Sequence, residues 1–492
     1  MKRLALFSIL GMIWGLPFVD SNCFAQMYTV NVIGSFQPSG LNNLGQVVGN
    51  SGGPYDHAFR TAPNSPVDMS NDDLLPHSCT LEEIENYRCV ENVWASDIND
   101  AGEVVGGLIA QIDDLAFRTK TVPIKYCSSA EQQQGEECTD ILVGDSGGAT
   151  AFGINGSGQT VGYYDANAGL LAFRDAVLNL GSLSGPGSGT TMATDINDSG
   201  QAVGFSGGTD YTCFGCSPIF HAFRTAPNSV INPNTDDLGT LGGHNSFAYA
   251  INAFGQVVGS STIAGDAALH AFRTAPNLPI NSSADDLGTL GGSSSSAWAL
   301  DGFGQVLGWS LTTGDTAQHA FLFSNGVMHD LNSLIPTDSG CVLIGAGGLS
   351  NIGGGRVPRG GGINNRGQIV VSSSCGAVRL DPIYKAHVQP PIDRDGRSVF
   401  SAKRGVIPVR FLVTKDGRRL SCELPASISV TKAGNATLTP IDESALPEGA
   451  DFRITGCEYH YNLHAASLGV GTYRVDININ GVMVGHAVFA LK

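Results

Sequence analysis

Charge is scarce in this chain of 492 residues: only 14% are Asp, Glu, Lys or Arg. Basic residues are the scarcer kind, 27 against 44 acidic ones, for a net charge of −17. Such a surface repels a phosphate backbone, which argues against a nucleic-acid partner. Low charge combined with 65 glycines argues against helical bundles, which need charged outer faces and avoid glycine. Long apolar runs are missing after the first 25 residues, so no later stretch reads as a bilayer span, and the end HAVFALK shows no sorting tail.

What is present begins with MKRLALFSILGMIWGLPFVDSNCFA. Lys2 and Arg3 precede an apolar run from Leu4 to Val19, and Cys-Phe-Ala supplies a small-residue cleavage context. Residues 1–25 read as an export signal, so an extracellular, periplasmic or cell-surface location is expected. Export makes the remaining ten cysteines readable as disulfides. Nearest-neighbour pairing would join Cys79 to Cys89, Cys127 to Cys138, Cys213 to Cys216, Cys341 to Cys375 and Cys422 to Cys457; spacing alone does not fix this connectivity.

One phrase returns seven times: LNNLGQVVG (41–49), INDAGEVVG (98–106), INGSGQTVG (154–162), INDSGQAVG (196–204), INAFGQVVG (251–259), LDGFGQVLG (300–308) and INNRGQIVV (363–371). The Asn or Asp positions are 42, 99, 155, 197, 252, 301 and 364, giving steps of 57, 56, 42, 55, 49 and 63. HAFR or LAFR follows five copies, HAFL the sixth, and only AVRL (377–380) the last. Each unit reads as four short strands, as in SFAYAI, QVVGS, HAFRT and DLGTL, with Asn-x-x-Gly as a tight turn between the first two. Four such strands cannot bury both faces alone, so units must stack. The expectation is an all-β chain: a seven-bladed β-propeller of four-stranded blades over 26–383, with six or eight blades or an open array as the alternatives. VIGSF, near the start, matches the LGTL phrase that the last copy lacks. The N-terminus is therefore expected to supply the last blade's fourth strand and remove an open edge.

HAFR, LGTLGG and IN..GQVVG, in this fixed order over roughly 30–380, resemble the HAF-repeat extracellular proteins. That resemblance implies export and a repeat fold, and no activity.

Residues 384–392 read as a linker, since Pro and polar residues interrupt the pattern. From 393 to 492, seven strand-like segments with turns such as KDG and NING suit an immunoglobulin-like β-sandwich. PVRF (408–411), GCEYHYNL (456–463) and GTYRVDI with GHAVFALK resemble the PxKF domain, with Arg410 where that name implies Lys. The resemblance implies an accessory surface or adhesion module.

Motifs that look like chemistry yield to the repeat register. GDSGG (144–148) resembles a serine-protease nucleophile loop, but it aligns with LGTLGG and no positioned His precedes it. DINDAG (97–102) and DINDSG (195–200) resemble calcium loops, yet other copies lack the leading Asp, so turn chemistry is expected and no metal. CFGC (213–216) falls in a loop, where a stapling disulfide fits better than a redox pair. His57, His221, His270 and His319 share one position with Leu115 and Leu171, which favours packing. The Arg of HAFR faces the DDL phrase, where it would pair with an Asp such as Asp237 or Asp286. NGS (155–157), NDS (197–199), NSS (281–283) and NAT (435–437) match the glycosylation pattern.

No catalytic residue and no cofactor is assigned. Binding is expected on the face shared by the strand two–three loops and the inter-unit connectors. Tyr163, Tyr164, Tyr211, Phe214 and Trp309 are the candidate ligand-binding aromatics, suited to a carbohydrate or a cell-surface protein. The functional expectation is a secreted non-enzymatic binding or adhesion protein. The alternative, a polysaccharide-acting enzyme, would need paired carboxylates and would draw on Asp165, Asp210, Asp266 and Asp315.

Overall fold

The structure, a computed structural model, describes residues 26–51, 57–74, 90–110, 113–120, 139–144, 148–166, 169–175, 177–184, 189–208, 219–345, 360–393, 396–403, 405–415, 417–419, 426–432, 443–444, 452–455, 458–465, 468–479 and 481–492. The export segment, the GDSGG serine and CFGC lie outside them. Among the described residues the fold is all-β, with three short 3-10 turns and no α-helix.

Among the described residues of 28–382 there are seven antiparallel sheets of three or four strands, one per repeat unit. In unit 5 the order is Gly242–Ile251, Val257–Ile263 and Leu269–Arg273, so sequence neighbours are sheet neighbours. HAF explains itself in this setting. Its Ala and Phe point to opposite faces, and both are buried in units 1 to 6, as with Ala271 and Phe272 at 0% exposure. Each sheet is thus covered on both sides by its neighbours, each Phe contributing roughly 1.5–3 kcal/mol of burial. One apolar seam joins unit 4 (Val203, Ala222) to unit 5 (Ala248, Val257, Phe272). Another joins unit 7 (Val370, Ala377) to unit 1 (Val47, Phe59), so the circuit returns to its start.

Tyr28–Gly34 pairs antiparallel with Gly376–Pro382, Val30 opposite Leu380 and Val32 opposite Val378. The beginning of the chain thereby completes the last unit's sheet.

The fourth strand differs from expectation in units 1, 4 and 5. There it shrinks to a single bridge, Phe59 to Asp73, Phe223 to Asp237 and Phe272 to Asp286. In units 4 and 5 Asp-Leu-Gly turns away at once: Gly239 and Gly288 have φ of +73° and +72°. LGTLGG then crosses toward the next unit, where Leu241 bridges Ile263 and Leu290 bridges Thr312 in parallel.

Residues 384–491 form two five-stranded sheets. Alternate residues of Val406–Lys415 (Ile407, Val409, Phe411, Val413) and of Gly471–Ile479 (Tyr473, Val475, Ile477, Ile479) share one buried core. Phe411 stacks on Tyr459 at 4.8 Å. The expected linker is corrected: Tyr384–Gln389 is a strand pairing with Val406–Lys415. Tyr384 and Val388 are buried, and that apolar anchoring outweighs the Pro-rich signal that follows.

Candidate functional site

Strand one of each unit ends in the Asn-x-x-Gly turn, and its start lies at the opposite end beside the strand two–three loop. The molecule therefore has a turn face and a loop face.

The turn face is a bonded ring. Asn42 Nδ2 donates to Asn99 O at 3.0 Å, Asn99 to Asn155 O at 3.1 Å, Asn155 to Asn197 O at 3.0 Å, and Asn197 to Asn252 O at 3.1 Å. Asn252 donates to Asp301 O at 3.2 Å, and Asn364 closes the series on Asn42 O at 2.9 Å. The repeat glutamine adds further links: Gln159 to Asn228, Gln201 to Asn277 and Gln368 to Asn64, each at 2.9–3.0 Å. DINDSG behaves as turn chemistry in part: Asn197 Oδ1 accepts from Ser199 N and Gln201 N. The leading aspartates do something else, because they accept from the neighbouring unit: Asp97 from Ile154 N at 3.2 Å and Asp195 from Ile251 N at 2.9 Å. No group of three metal-ligating side chains occurs among the described residues.

Two pairing expectations are corrected. The HAF histidines do not simply pack; Nδ1 of His57, His221, His270 and His319 meets Asp73, Asp237, Asp286 and Asp330 at 2.8, 2.9, 2.9 and 2.7 Å. The hydrogen bond to Asp286 raises the His270 pKa against the opposing effect of burial, and Asp237 does the same for His221. The arginine three residues further along the strand reaches the next unit instead. Arg118 donates to Gly158 O at 2.6 Å and Arg224 to Gly255 O at 3.3 Å. Arg118 also pairs with Asp140 at 2.8 Å.

The loop face is built from local braces. In unit 5, Asp266 Oδ1 accepts from His244 N at 2.7 Å, and its second oxygen contacts the His244 imidazole. The backbone bond from His244 is the main cause holding the Asp266 carboxyl down at about 2. In unit 6, Asp315 Oδ1 accepts from Ser293 N at 2.7 Å in the same way. These two acids are loop braces, while Asp165 is exposed on Thr160–Ala166 and Asp210 lies outside the described residues.

Among the described residues, the candidate aromatics Tyr163, Tyr164 and Trp309 are half-buried or buried in the seams. Tyr163 is only 9% exposed and packs on Phe152 at 5.5 Å, because its strand position faces the neighbouring sheet. Tyr164 is half-buried against the seam between units 2 and 3. Trp309 is half-buried, with Gly345 placed against it and against Trp298. Tyr211 and Phe214 lie outside the described residues.

Cys341 and Cys375 form a disulfide with Cα atoms 5.4 Å apart. The other proposed cysteine partners lie outside the described residues. The bridge pins the unit 6 connector to the strand two–three loop of unit 7. Beside it, Val342 O accepts from Ser374 N and Ile344 N donates to Ser372 O. Strand-like alternation follows: Leu343 is fully buried, while Val342 and Ile344 are 46% and 40% exposed. This apolar ledge, with Ile219 and His244 on the same face, escaped the sequence reading, since nothing in CVLIG distinguishes an outward valine from an inward one. Among the glycosylation patterns, Asn155 and Asn197 are buried in the ring, Asn281 is exposed, and Asn435 lies outside the described residues.

An all-β repeat protein with one ring-bonded face and one loop face is the class these features define. No family model and no curated protein matches the chain. Among solved structures, the extracellular domain of a one-component system, BT4673, from B. thetaiotaomicron is similar at 8% identity and a TM-score of 0.31, over 95% of this chain and 59% of that one. A GH43_12 protein retrieved from a capybara gut metagenome is similar at 9% identity and a TM-score of 0.26, over 95% and 91%. A tri-modular GH5 endo-β-1,4-glucanase from Bacillus licheniformis aligns over 36% of this chain and 34% of its own, at 10% identity and a TM-score of 0.16. Likeness at this level carries no function across. No described helix is long and apolar enough to cross a membrane.

Proposed function

We propose that the chain is a secreted, non-enzymatic binding or adhesion protein. Residues 26–383 form a seven-bladed propeller of the HAF-repeat kind. The two-sheet unit that follows is an immunoglobulin-like accessory module of the PxKF kind. The ligand is a carbohydrate or a cell-surface protein, bound on the loop face. The observation that carries this reading is a division of labour. Polar residues that recur from unit to unit are committed to bonds within the ring, whereas His244, Ile219, Val342 and Ile344 do not recur and are exposed on the loop face. Function on a repeated scaffold is carried by such unrepeated loop groups.

A glycan array and a cell-adhesion assay on the mature chain test the proposal. Binding is expected, and Val342→Ser with Ile344→Ser should weaken it at least tenfold at unchanged melting temperature. Turnover of a polysaccharide that is lost in Asp97→Asn or Asp195→Asn would replace this reading with the enzymatic one. Those two carboxylates flank the same inner strand: Asp97 accepts from Ile154 N, and a Cβ on Gly153 would lie 3.0 Å from Asp195 Oδ1.

A further inference from the structure

The turn-face ring has six amide rungs and one exception. At the remaining position, in unit 6, the residue is Asp301, which has no amide to donate. Its Oδ1 accepts from Phe303 N at 2.9 Å and Gln305 N at 2.8 Å, as each asparagine Oδ1 does in its own turn. Oδ2 is thereby placed where the asparagines carry Nδ2, the atom that donates to the next unit's carbonyl. Asp301 is buried, and Oδ2 has no hydrogen-bond partner among the described residues. The following glutamine differs in one bond: in the other Gln copies its Oε1 accepts from the asparagine, as Gln256 does from Asn252, and Asp301 has no amide to make that bond. The Gln305 amide donates to Ser324 Oγ at 3.1 Å. A carboxylate Oδ2 would face a carbonyl oxygen with no donor between them, an arrangement that is costly in a buried site.

The second sheet unit docks on this odd turn. Arg474 Nη2 donates to Phe303 O at 2.9 Å, its guanidinium lies over the Phe303 ring, and the His486 ring stands 4.0 Å from that ring. Asn325 Nδ2 reaches Gly481 O at 3.3 Å nearby. The charged and titratable groups around Asp301 are Tyr28 from the N-terminal strand, Arg273 from unit 5, and Arg474, Asp476 and His486 from the docked unit. Arg474 pairs with Asp476 at 2.7 Å, and its positive charge opposes the rise of the Asp301 carboxyl, while Arg273 donates to Gly304 O.

We propose that Asp301 is a neutral carboxylic acid in the folded chain and donates from Oδ2 to the carbonyl oxygen of Asn364, so that the seventh rung exists only while the acid keeps its proton. The seam between units 6 and 7, and the docked unit seated on it, then loosen as pH rises. Burial is the main cause holding the Asp301 carboxyl up at about 7, against hydrogen bonds from Gln305 and Phe303. A carboxyl raised in the folded state adds stability that is complete below its ordinary value, and that contribution is lost as pH climbs to about 7.

Asp301→Asn supplies the missing donor without a proton. The difference in melting temperature between this variant and the parent chain cancels other titrating groups, including His486, His221 and His270. It is expected to grow by several degrees in the variant's favour between about pH 5 and about pH 8.5. Infrared spectroscopy at about pH 6 should show a protonated-carboxyl band that Asp301→Asn removes. If Asp301→Asn fails to fold, the band must persist in Asp476→Asn, which deletes the other buried acid. A difference that stays flat with pH, or a band that survives Asp301→Asn or disappears in Asp476→Asn, overturns the proposal.

Discussion

Asn155 shows how much one side chain does here. Its Oδ1 accepts from Ser157 N and Gln159 N, and its Nδ2 donates to Asn197 O and to Gln159 Oε1. One buried amide therefore shapes its own turn and fastens the next unit. Asn155→Asp keeps the shape and the accepting oxygen but removes the donor. It should cost about 1–3 kcal/mol at neutral pH, read from urea unfolding midpoints at constant slope. An unchanged midpoint would mean that the ring bond contributes nothing. The need for a polar residue at this position was legible from seven repeats. The bond to the neighbouring unit was not, because it joins residues 42 to 57 apart whose proximity only packing creates. Asp301 was legible as a departure from Asn, but its meaning depends on the position of Asn364.

At the scale of the element, the last glycine of GQVVG has a packing reason. A Cβ on Gly259 would lie 1.8 Å from Phe247 O, because strand one bulges between Ala248 and Ala250 and brings its carbonyl in. Gly204 meets Met192 O at 1.9 Å in the same way. The last copy has Val371 there, and the glycine has moved across the sheet: Gly361 opposes Val371 and itself sits against Val370 O. Gly288 is a different case, with positive φ and open space around it. Gly288→Ala should cost about 1–2 kcal/mol for its backbone alone, whereas Gly259→Ala must displace a strand and should cost more. Chemical denaturation of the two variants ranks them, and equal costs would contradict the close-approach explanation. The recurrence of this glycine was visible in the sequence. The bulge that demands it was not, since period-two alternation carries no mark of an extra residue.

At the scale of the molecule, closure rests on Tyr28–Gly34 against Gly376–Pro382 and on the seam between units 7 and 1. Deleting residues 28–34 should expose a strand edge, broaden thermal unfolding and produce concentration-dependent oligomers by light scattering. A monomer with an unchanged sharp transition would show that the circuit does not depend on this pairing. The deficit of one phrase at the end and its surplus at the beginning make this pairing legible in the sequence. The strand at 384–389 was missed because the proline pair just beyond it dominated the reading, although Tyr384 and Val388 carry the alternation.

By itself, the sequence determined the all-β character, the seven units and the partner of the first strand, because repetition and alternation are local patterns that the backbone period converts directly into faces. Only the tertiary structure decided which oxygen each amide reaches, that histidine rather than arginine meets the DDL acids, which aromatics are hidden, and that Val342 and Ile344 look outward. Those outcomes depend on distances between units, and such distances exist only after the sheets have packed.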